Sequence, residues 1–343
     1  MRLGVLTGGG DCPGLNAVIR AVVRKEIRDF GGTVFGFYNG WSGVVANEGE
    51  ELDVLGLRGT LPRGGTVLGT SRDTPYRTED GLELAKQTIK DRGIDALIVI
   101  GGEGTLSCAN RIQEDGVVNV VGVPKTIDND VGGTERTFGF DTAVAIATDA
   151  IDRLHTTAES HNRVMVVEVM GRNVGHIAVW AGMAGGATLT LIPEEPFDIK
   201  RVCEALSRRH NAGKFASIVV VAEGAQPLPG TMDIAEPTID EFGHRRLGGI
   251  ADAVAQEVER RTGFESRVTV LGHVQRGGTP TPFDRVLCTR FGVGAVEAAH
   301  ERNFGTMVAM NNGMINTVPL AEATAELKTV HPQIWSAAKT FFA

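Results

Sequence analysis

Three short apolar runs in this chain each end in a turn built from glycine or acidic residues. Leu3-Gly4-Val5-Leu6-Thr7 leads into Gly8-Gly9-Gly10-Asp11, and Ala96-Leu97-Ile98-Val99-Ile100 into Gly101-Gly102-Glu103-Gly104-Thr105. Val117-Val118-Asn119-Val120-Val121-Gly122-Val123 leads into Pro124-Lys125-Thr126-Ile127-Asp128-Asn129-Asp130. A short apolar run bounded by turn signals reads as a buried strand. In an open α/β sheet, ligands sit outside the carboxyl ends of strands. The three turns are therefore expected to converge on one phosphate-bearing ligand.

Strand and helix patterns alternate along the rest of the chain. Residues 16–24 have helical periodicity, with Pro13 and Gly14 breaking the chain ahead of them. Residues 82–93 read as helix, as do 141–158, where Ala143, Ile146, Ala147, Ala150, Ile151 and Leu154 share a face. Residues 164–169, 188–192, 218–221 and 268–271 read as strands and 250–261 as helix. Such alternation implies parallel sheets with covering helices. At 343 residues there is room for two domains of about 100–200 residues each. One boundary is expected near Phe140. A second is expected in 224–248, a loop or flap with Gly224, Pro227, Pro229, Gly230, Pro237 and Gly243 and no periodicity.

An apolar content of 42% suffices for a sizeable core. The 45 glycines cluster at strand ends without a collagen-like period, so they serve turns and phosphate cradles. A formal charge of −8 indicates a solvated acidic surface and excludes the basic face of a duplex-binding protein, so no nucleic-acid partner is expected. Cys12, Cys108, Cys203 and Cys288 form no CxxC pair and no zinc pattern. They are expected to be reduced thiols of a cytoplasmic protein. Cys12, in the first glycine loop, is either reactive or a lining group. Residues 1–7 read as a strand rather than a signal peptide. No apolar run approaches the ~20 residues of a membrane span, so no membrane partner is expected.

Consecutive glycines at 8–10 let main-chain N–H groups turn toward an anion, and a helix start adds a favourable dipole. A ligand-free tight turn is the plainer alternative. The segment is not GxGxxG, because Pro13 stands where the last glycine belongs, and it lacks the lysine of a GxxxxGK[ST] loop. In the second loop Gly102 and Gly104 permit close approach to a polyphosphate. Glu103 suits Mg²⁺, directly or through water, and Thr105 is a candidate N-cap for the next helix. In the third loop Asp128 is the candidate base for a hydroxyl proton, while Asn129 and Asp130 can instead satisfy the loop's own backbone. Two further strand ends are basic, Met170-Gly171-Arg172 and His273-Val274-Gln275-Arg276-Gly277-Gly278, and their donors suit a sugar phosphate. On chemistry alone Arg72 and Arg163 read equally well as ligand contacts or surface ion pairs.

Taken in order, TGGGDCPGLNA at 7–17, GGEGT at 101–105, PKTIDND at 124–130, SHNRVMVVEVMGR at 160–172 and VTVLGHVQRGGTP at 268–280 resemble the phosphofructokinase family. The resemblance runs from near residue 1 to about residue 300. The family transfers a phosphoryl group to the 1-hydroxyl of fructose 6-phosphate, giving fructose 1,6-bisphosphate. The resemblance implies two Rossmann-like, three-layer α/β domains with mostly parallel sheets. The larger, donor-binding domain would hold residues 1–139 plus about 252–304, and the smaller, sugar-phosphate-binding domain 140–251 plus about 305–343. It implies a donor site of Gly10, Arg72, Gly102, Glu103, Gly104 and Thr105, with Glu103 at Mg²⁺ where most members carry Asp. Asp128 matches the base, and Thr126, Met170, Gly171, Arg172, Glu223, His273 and Arg276 match the sugar-phosphate pocket. Arg163 and Arg267 match arginines that reach the 6-phosphate from an adjoining subunit, which implies a homo-oligomer, in the family most often a tetramer. Mg²⁺, Arg72 and Arg172 would neutralise the transferring group while Asp128 orients the hydroxyl and takes its proton late.

The family divides into ATP users and pyrophosphate users, and this chain is mixed. Gly104 is typical of ATP enzymes; the pyrophosphate type has Asp there, which would repel and occlude an α-phosphate. Lys125 is typical of pyrophosphate enzymes, yet its stem can swing aside or pair with an α-phosphate. Steric exclusion is harder to evade than an optional cation, so ATP is favoured over pyrophosphate. Asp73 replaces an apolar or aromatic residue and weakens the expected adenine packing. Arg20 and Arg24 fit the family's effector site, whereas His155, Ala187-Thr188 and Ala212 do not, which leaves the usual ADP and phosphoenolpyruvate regulation unsupported. An NAD kinase-like protein, suggested by GGEGT, leaves PKTIDND and GHVQRGG unexplained. A non-catalytic sugar-phosphate sensor needs neither Asp128 nor Glu103.

Overall fold

The computed structural model describes residues 1–233 and 248–342. Their strands, in chain order, are β1 (Arg2–Thr7), β2 (Thr33–Phe37), β3 (Gly49–Leu52), β4 (Ala96–Gly101), β5 (Asn119–Thr126), β6 (Phe138–Gly139), β7 (Val164–Val169), β8 (Leu189–Leu191), β9 (Ser217–Ala222), β10 (Ser266–Val270), β11 (Thr306–Asn311) and β12 (Met314–Pro319). The chain forms two compact units, Met1–Thr142 with Arg276–Lys328, and Ala143–Gln275 with Thr329–Ala343.

The first division falls within the helix Phe140–His161, close to Phe140. The returning segments divide at 276 and 328, not at 252 and 304. β10 pairs in parallel with β7, from Ser266↔Val164 to Val270↔Glu168. The helix Ile250–Thr262 buries Ile250, Ala251, Val254, Ala255 and Val258 in the second unit's core. Both elements therefore stay with the second unit. β11 pairs with β5 and makes an antiparallel hairpin with β12, so that segment belongs to the first unit. The bounds implied by the resemblance thus differ from these, because strand pairing decides which unit a returning segment joins. Of the expected loop at 224–248, residues 234–247 lie outside the described residues.

The first unit's sheet has the order β12-β11-β5-β4-β1-β2-β3, with β6 beside β5. β5, β4, β1 and β2 are mutually parallel. β4 is buried along its whole length, as the continuous apolar run requires of a strand covered on both faces. Leu97 and Val99 of β4 share a cluster with Leu106, Ala109 and Ile112 of the helix Glu103–Glu114. Two other helices begin by capping each other. Thr281 caps the helix Pro282–His300 through the N–H of Asp284 and donates its own hydroxyl to Asp141 at 2.6 Å. The buried carboxylate of Asp284 accepts from the N–H groups of Gly139 (3.0 Å) and Thr142 (2.9 Å) and from the Thr142 hydroxyl, at the start of the helix Phe140–His161. Burial pushes the Asp284 carboxyl up to about 6.

The second unit has a parallel sheet of order β10-β7-β9-β8. Val164, Val166, Val219 and Val221 meet Phe197, Leu206 and Val254 in its core. The acid within the buried strand β7, Glu168, accepts from the N–H of Ala251 at 3.1 Å, so it caps the helix Ile250–Thr262. No helix among the described residues is long and apolar enough to cross a membrane.

Candidate active site

β1, β4 and β5 are neighbours running the same way, with Thr7 opposite Ile100 and Gly101 opposite Pro124. Their glycine and acidic turns therefore leave one edge of the first unit's sheet together. β5 spans Asn119–Thr126, so Pro124, Lys125 and Thr126 extend the strand and Asp128 lies two residues past its end.

The first and second turns fit around Thr105. A Cβ on Gly8 or Gly101 would approach the Thr105 side chain to 2.7 and 2.3 Å. The N-cap of the helix Glu103–Glu114 is Gly102, so Thr105 lies inside the helix and packs the two loops together, in place of the expected cap. Gly9 has a φ of 80°, its N–H donates to the Ser71 carbonyl at 2.8 Å, and its carbonyl accepts from the Thr70 hydroxyl at 2.6 Å. These bonds stitch the segment carrying Arg72 to the first glycine loop. Gly10 is bracketed by two cations. A Cβ there would stand 2.1 Å from Nη1 of Arg276, which donates to the Asp11 carbonyl at 3.3 Å. The Lys125 ammonium is buried and donates to the Gly10 carbonyl at 2.5 Å. Burial lowers the pKa of that ammonium. Asp73 is held by Ser42 (3.1 Å) and Arg77 (2.5 Å). Cys12 is a buried thiol, and burial pushes it up to about 12, which disfavours the reactive alternative.

Gly104 differs from its neighbours: a Cβ there meets no atom within 4 Å. Beside it the exposed Glu103 accepts from the Ser107 hydroxyl at 3.1 Å. No cluster of three or more metal-ligating side chains exists among the described residues. A single carboxylate at a helix start suits Mg²⁺, which takes one or two carboxylates and completes its shell with phosphate oxygens and water.

In the third turn, Thr126 Oγ1 accepts from the Asp128 N–H at 3.1 Å, and the Thr126 carbonyl accepts from the Thr137 hydroxyl at 2.7 Å. Asn129 takes the left-handed conformation (φ 53°), and its Oδ1 accepts from the Thr137 N–H (2.9 Å) and the Lys328 ammonium (3.0 Å). Asn129 thus satisfies the loop itself. Burial, and next the charge of Asp128, push the Asp130 carboxyl up to about 6.

In the second unit the loops after β7 and β9 interlock. The Gly171 N–H donates to Glu223 at 3.4 Å, the Gly224 N–H to the Gly171 carbonyl at 3.1 Å, and the Glu223 N–H to the Val169 carbonyl at 2.9 Å. Gly171 has a φ of 140°, and a Cβ on Gly224 would lie 1.9 Å from the Arg172 carbonyl, so the geometry around Arg172 depends on both glycines. The Met170 N–H donates to the buried Gln275 at 3.3 Å. Met170, Gly171, Arg172 and Glu223 are thereby brought together, and His273 is exposed on the short helix Gly272–Arg276. Arg163 and Arg267 are not with them. They lie at the N-terminal ends of the parallel strands β7 and β10, where both pair with Glu265, Arg163 at 2.8 Å.

Sequence reasoning missed Lys328, Gln275 and Thr137, which hold these loops from a distance. Gln275 lies within the GHVQRGG motif but carries no charge to single it out beside His273 and Arg276, and Lys328 and Thr137 lie in no motif.

Glycine loops, a carboxylate at a helix start and an aspartate on neighbouring strand ends mark an α/β phosphotransferase. Residues 2–299 match the family model described as Phosphofructokinase, and the chain belongs to the phosphofructokinase family. It is 56% identical over 342 residues, the whole of both chains, to the pyrophosphate–fructose 6-phosphate 1-phosphotransferase of Streptomyces coelicolor. It is 55% identical over 343 residues, all of this chain and 99% of the other, to the ATP-dependent 6-phosphofructokinase of Corynebacterium efficiens. Its fold is similar to phosphofructokinase from Saccharomyces cerevisiae, with a TM-score of 0.83 and 32% identity over 99% of this chain and 46% of the yeast chain. Relatives at nearly equal identity thus carry the names of both donors.

Proposed function

We propose that the protein is a 6-phosphofructokinase that transfers a phosphoryl group from ATP to the 1-hydroxyl of fructose 6-phosphate, a step of glycolysis. The observation that carries the donor choice is the open space at Gly104, beside Glu103, where an added Cβ meets no atom within 4 Å and no side chain occludes a longer phosphate chain from that position. A second reading, pyrophosphate as donor, is favoured by Lys125. Its ammonium is fixed on the Gly10 carbonyl and does not hang loose.

Held by Glu103 and donor phosphates, Mg²⁺ would offset charge on the phosphoryl oxygens. The chain's own groups do the rest. Main-chain N–H groups at the Gly102–Thr105 loop cradle phosphate oxygens, whereas those of Gly8 and Gly9 are used on the Ile100 and Ser71 carbonyls. Arg72 and Arg172 add positive charge, and Thr126, Met170, Gly171, Glu223, His273 and Arg276 position the sugar phosphate. Asp128, its N–H pinned by Thr126, orients the acceptor hydroxyl and takes its proton.

Arg163 lies seven residues before Met170, or about 23 Å along an extended strand. It and Arg267 are assigned to the 6-phosphate bound by a neighbouring copy, which makes the working form a homo-oligomer, in the family most often a tetramer. Four free, buried thiols suit a reducing, cytoplasmic setting. Regulation by ADP and phosphoenolpyruvate is not part of the proposal, since the His155 ring is engaged with the Gly185 carbonyl at 2.6 Å.

Steady-state turnover of fructose 6-phosphate with Mg-ATP and with Mg-pyrophosphate tests this reading. ATP turnover at least about tenfold above pyrophosphate turnover is expected. The reverse order would replace the donor, and turnover with neither would leave a sugar-phosphate sensor.

A further inference from the structure

The loop that carries Asp128 and Asp130 is tied down by a residue almost two hundred positions away. Lys328 donates from its ammonium to Asn129 Oδ1 (3.0 Å) and to the carbonyls of Thr134 (2.8 Å) and Glu135 (3.1 Å). Its own N–H donates to the Asp130 carbonyl at 2.8 Å, and nearby the Gly132 N–H donates to the Ala323 carbonyl at 3.1 Å. One residue thus makes four hydrogen bonds into the segment 129–135. Three carbonyl-type oxygens on one ammonium match the three donors that lysine offers. Asn129 is itself buried and left-handed, a conformation that asparagine tolerates better than most non-glycine residues.

We propose that Lys328 is a positioning residue for phosphoryl transfer: it clamps Asn129 and the carbonyls that follow, and so fixes the direction in which Asp128 meets the acceptor hydroxyl. The inference rests on reading Asp128 as the base. Lys328 does not touch the reacting atoms; it acts through the loop. A displacement of about 1 Å in a catalytic group costs up to about a hundredfold in rate. The clamp also explains why a polar side chain is placed at 129, where apolar packing alone would give the loop no fixed twist.

The test uses full-length Lys328→Met and Lys328→Gln, with Asp128→Asn and the Asp128→Asn/Lys328→Met double variant in parallel. For each, kcat, the KM of both substrates and a thermal melt are measured. Both Lys328 variants are expected to lose about 10- to 100-fold in kcat while each KM stays within about threefold, because binding groups are untouched. The double variant is expected to be no more than about threefold slower than Asp128→Asn alone, because the two residues act through one step. A folded Lys328 variant with near-parental kcat overturns the proposal, as do fully multiplicative losses in the double variant. If neither variant folds, Lys328 serves stability alone and the proposal is likewise overturned. Near-parental kcat in Asp128→Asn would instead remove the base. An impaired Asp128→Asn beside an unimpaired Lys328→Met removes only the clamp.

Discussion

The ammonium of Lys125, at the end of β5, hydrogen-bonds the main-chain carbonyl of Gly10, in the loop after β1. The cation also stands 3.3 Å from where a Gly9 Cβ would be, so it is set among the glycines of the first loop. A fixed cation of this kind helps a compact donor most. Lys125→Met is expected to lower kcat/KM for pyrophosphate at least about a hundredfold and for ATP by about tenfold or less. Parallel kinetics with both donors check this, and equal losses would reduce Lys125 to a structural tie.

Gly104 is the complementary case. It is the second residue of the helix Glu103–Glu114 and its Cβ direction is empty. Aspartate there replaces a poor helix former and places a negative charge at a helix N-terminus, each worth a few tenths of a kcal/mol to about 1 kcal/mol. Gly104→Asp should melt no lower than the parent while kcat/KM for ATP falls at least about tenfold. A lower melting temperature would show that the space is not open.

Asp128→Asn keeps shape and removes the proton acceptor. A fall in kcat of at least about a hundredfold is expected, with little change in sugar-phosphate affinity measured directly by calorimetry. A near-normal kcat would take Asp128 out of the reaction.

Arg163 and Arg267 share one exposed partner, Glu265. Surface pairs of this kind contribute about 0–1 kcal/mol, so truncation should scarcely alter the melt. Arg267→Ala is expected to raise the KM for fructose 6-phosphate at least about tenfold with kcat within about threefold. An unchanged KM would return both arginines to the surface-pair reading.

Asp284 links pH to stability. Its carboxyl titrates near 6 in the folded protein against 3.8 without burial, so between these values the folded state holds the extra proton. Stability from this group is therefore greatest below pH 4 and declines as pH rises through 6. The stability advantage of the parent over Asp284→Asn, from urea unfolding, should shrink by about 1–3 kcal/mol across that range. A constant difference would mean that hydrogen bonds from Gly139 and Thr142 fully offset the burial.

Much of the first unit was legible because β1, β4 and β5 announce themselves twice, by apolar runs and by the turns that end them. The same signal singled out Glu103 and Asp128 as candidates. Thr105 was misread because a threonine near a helix start has the chemistry of a cap, and only coordinates show it wedged between Gly8 and Gly101. The returns of the chain differ from the bounds the resemblance implies because long-range pairing decides them: β10 pairs with β7 and β11 with β5. Lys328 was invisible because a lysine in a polar stretch carries no sign of the asparagine it will meet.

Glycine codons ending in a pyrimidine become aspartate codons by one change at the middle base. Nothing in the fold at position 104 resists that side chain. On the proposed reading, the preferred energy currency sits a single mutational step from its opposite, and descendants of one ancestral chain can trade one for the other without rebuilding the protein.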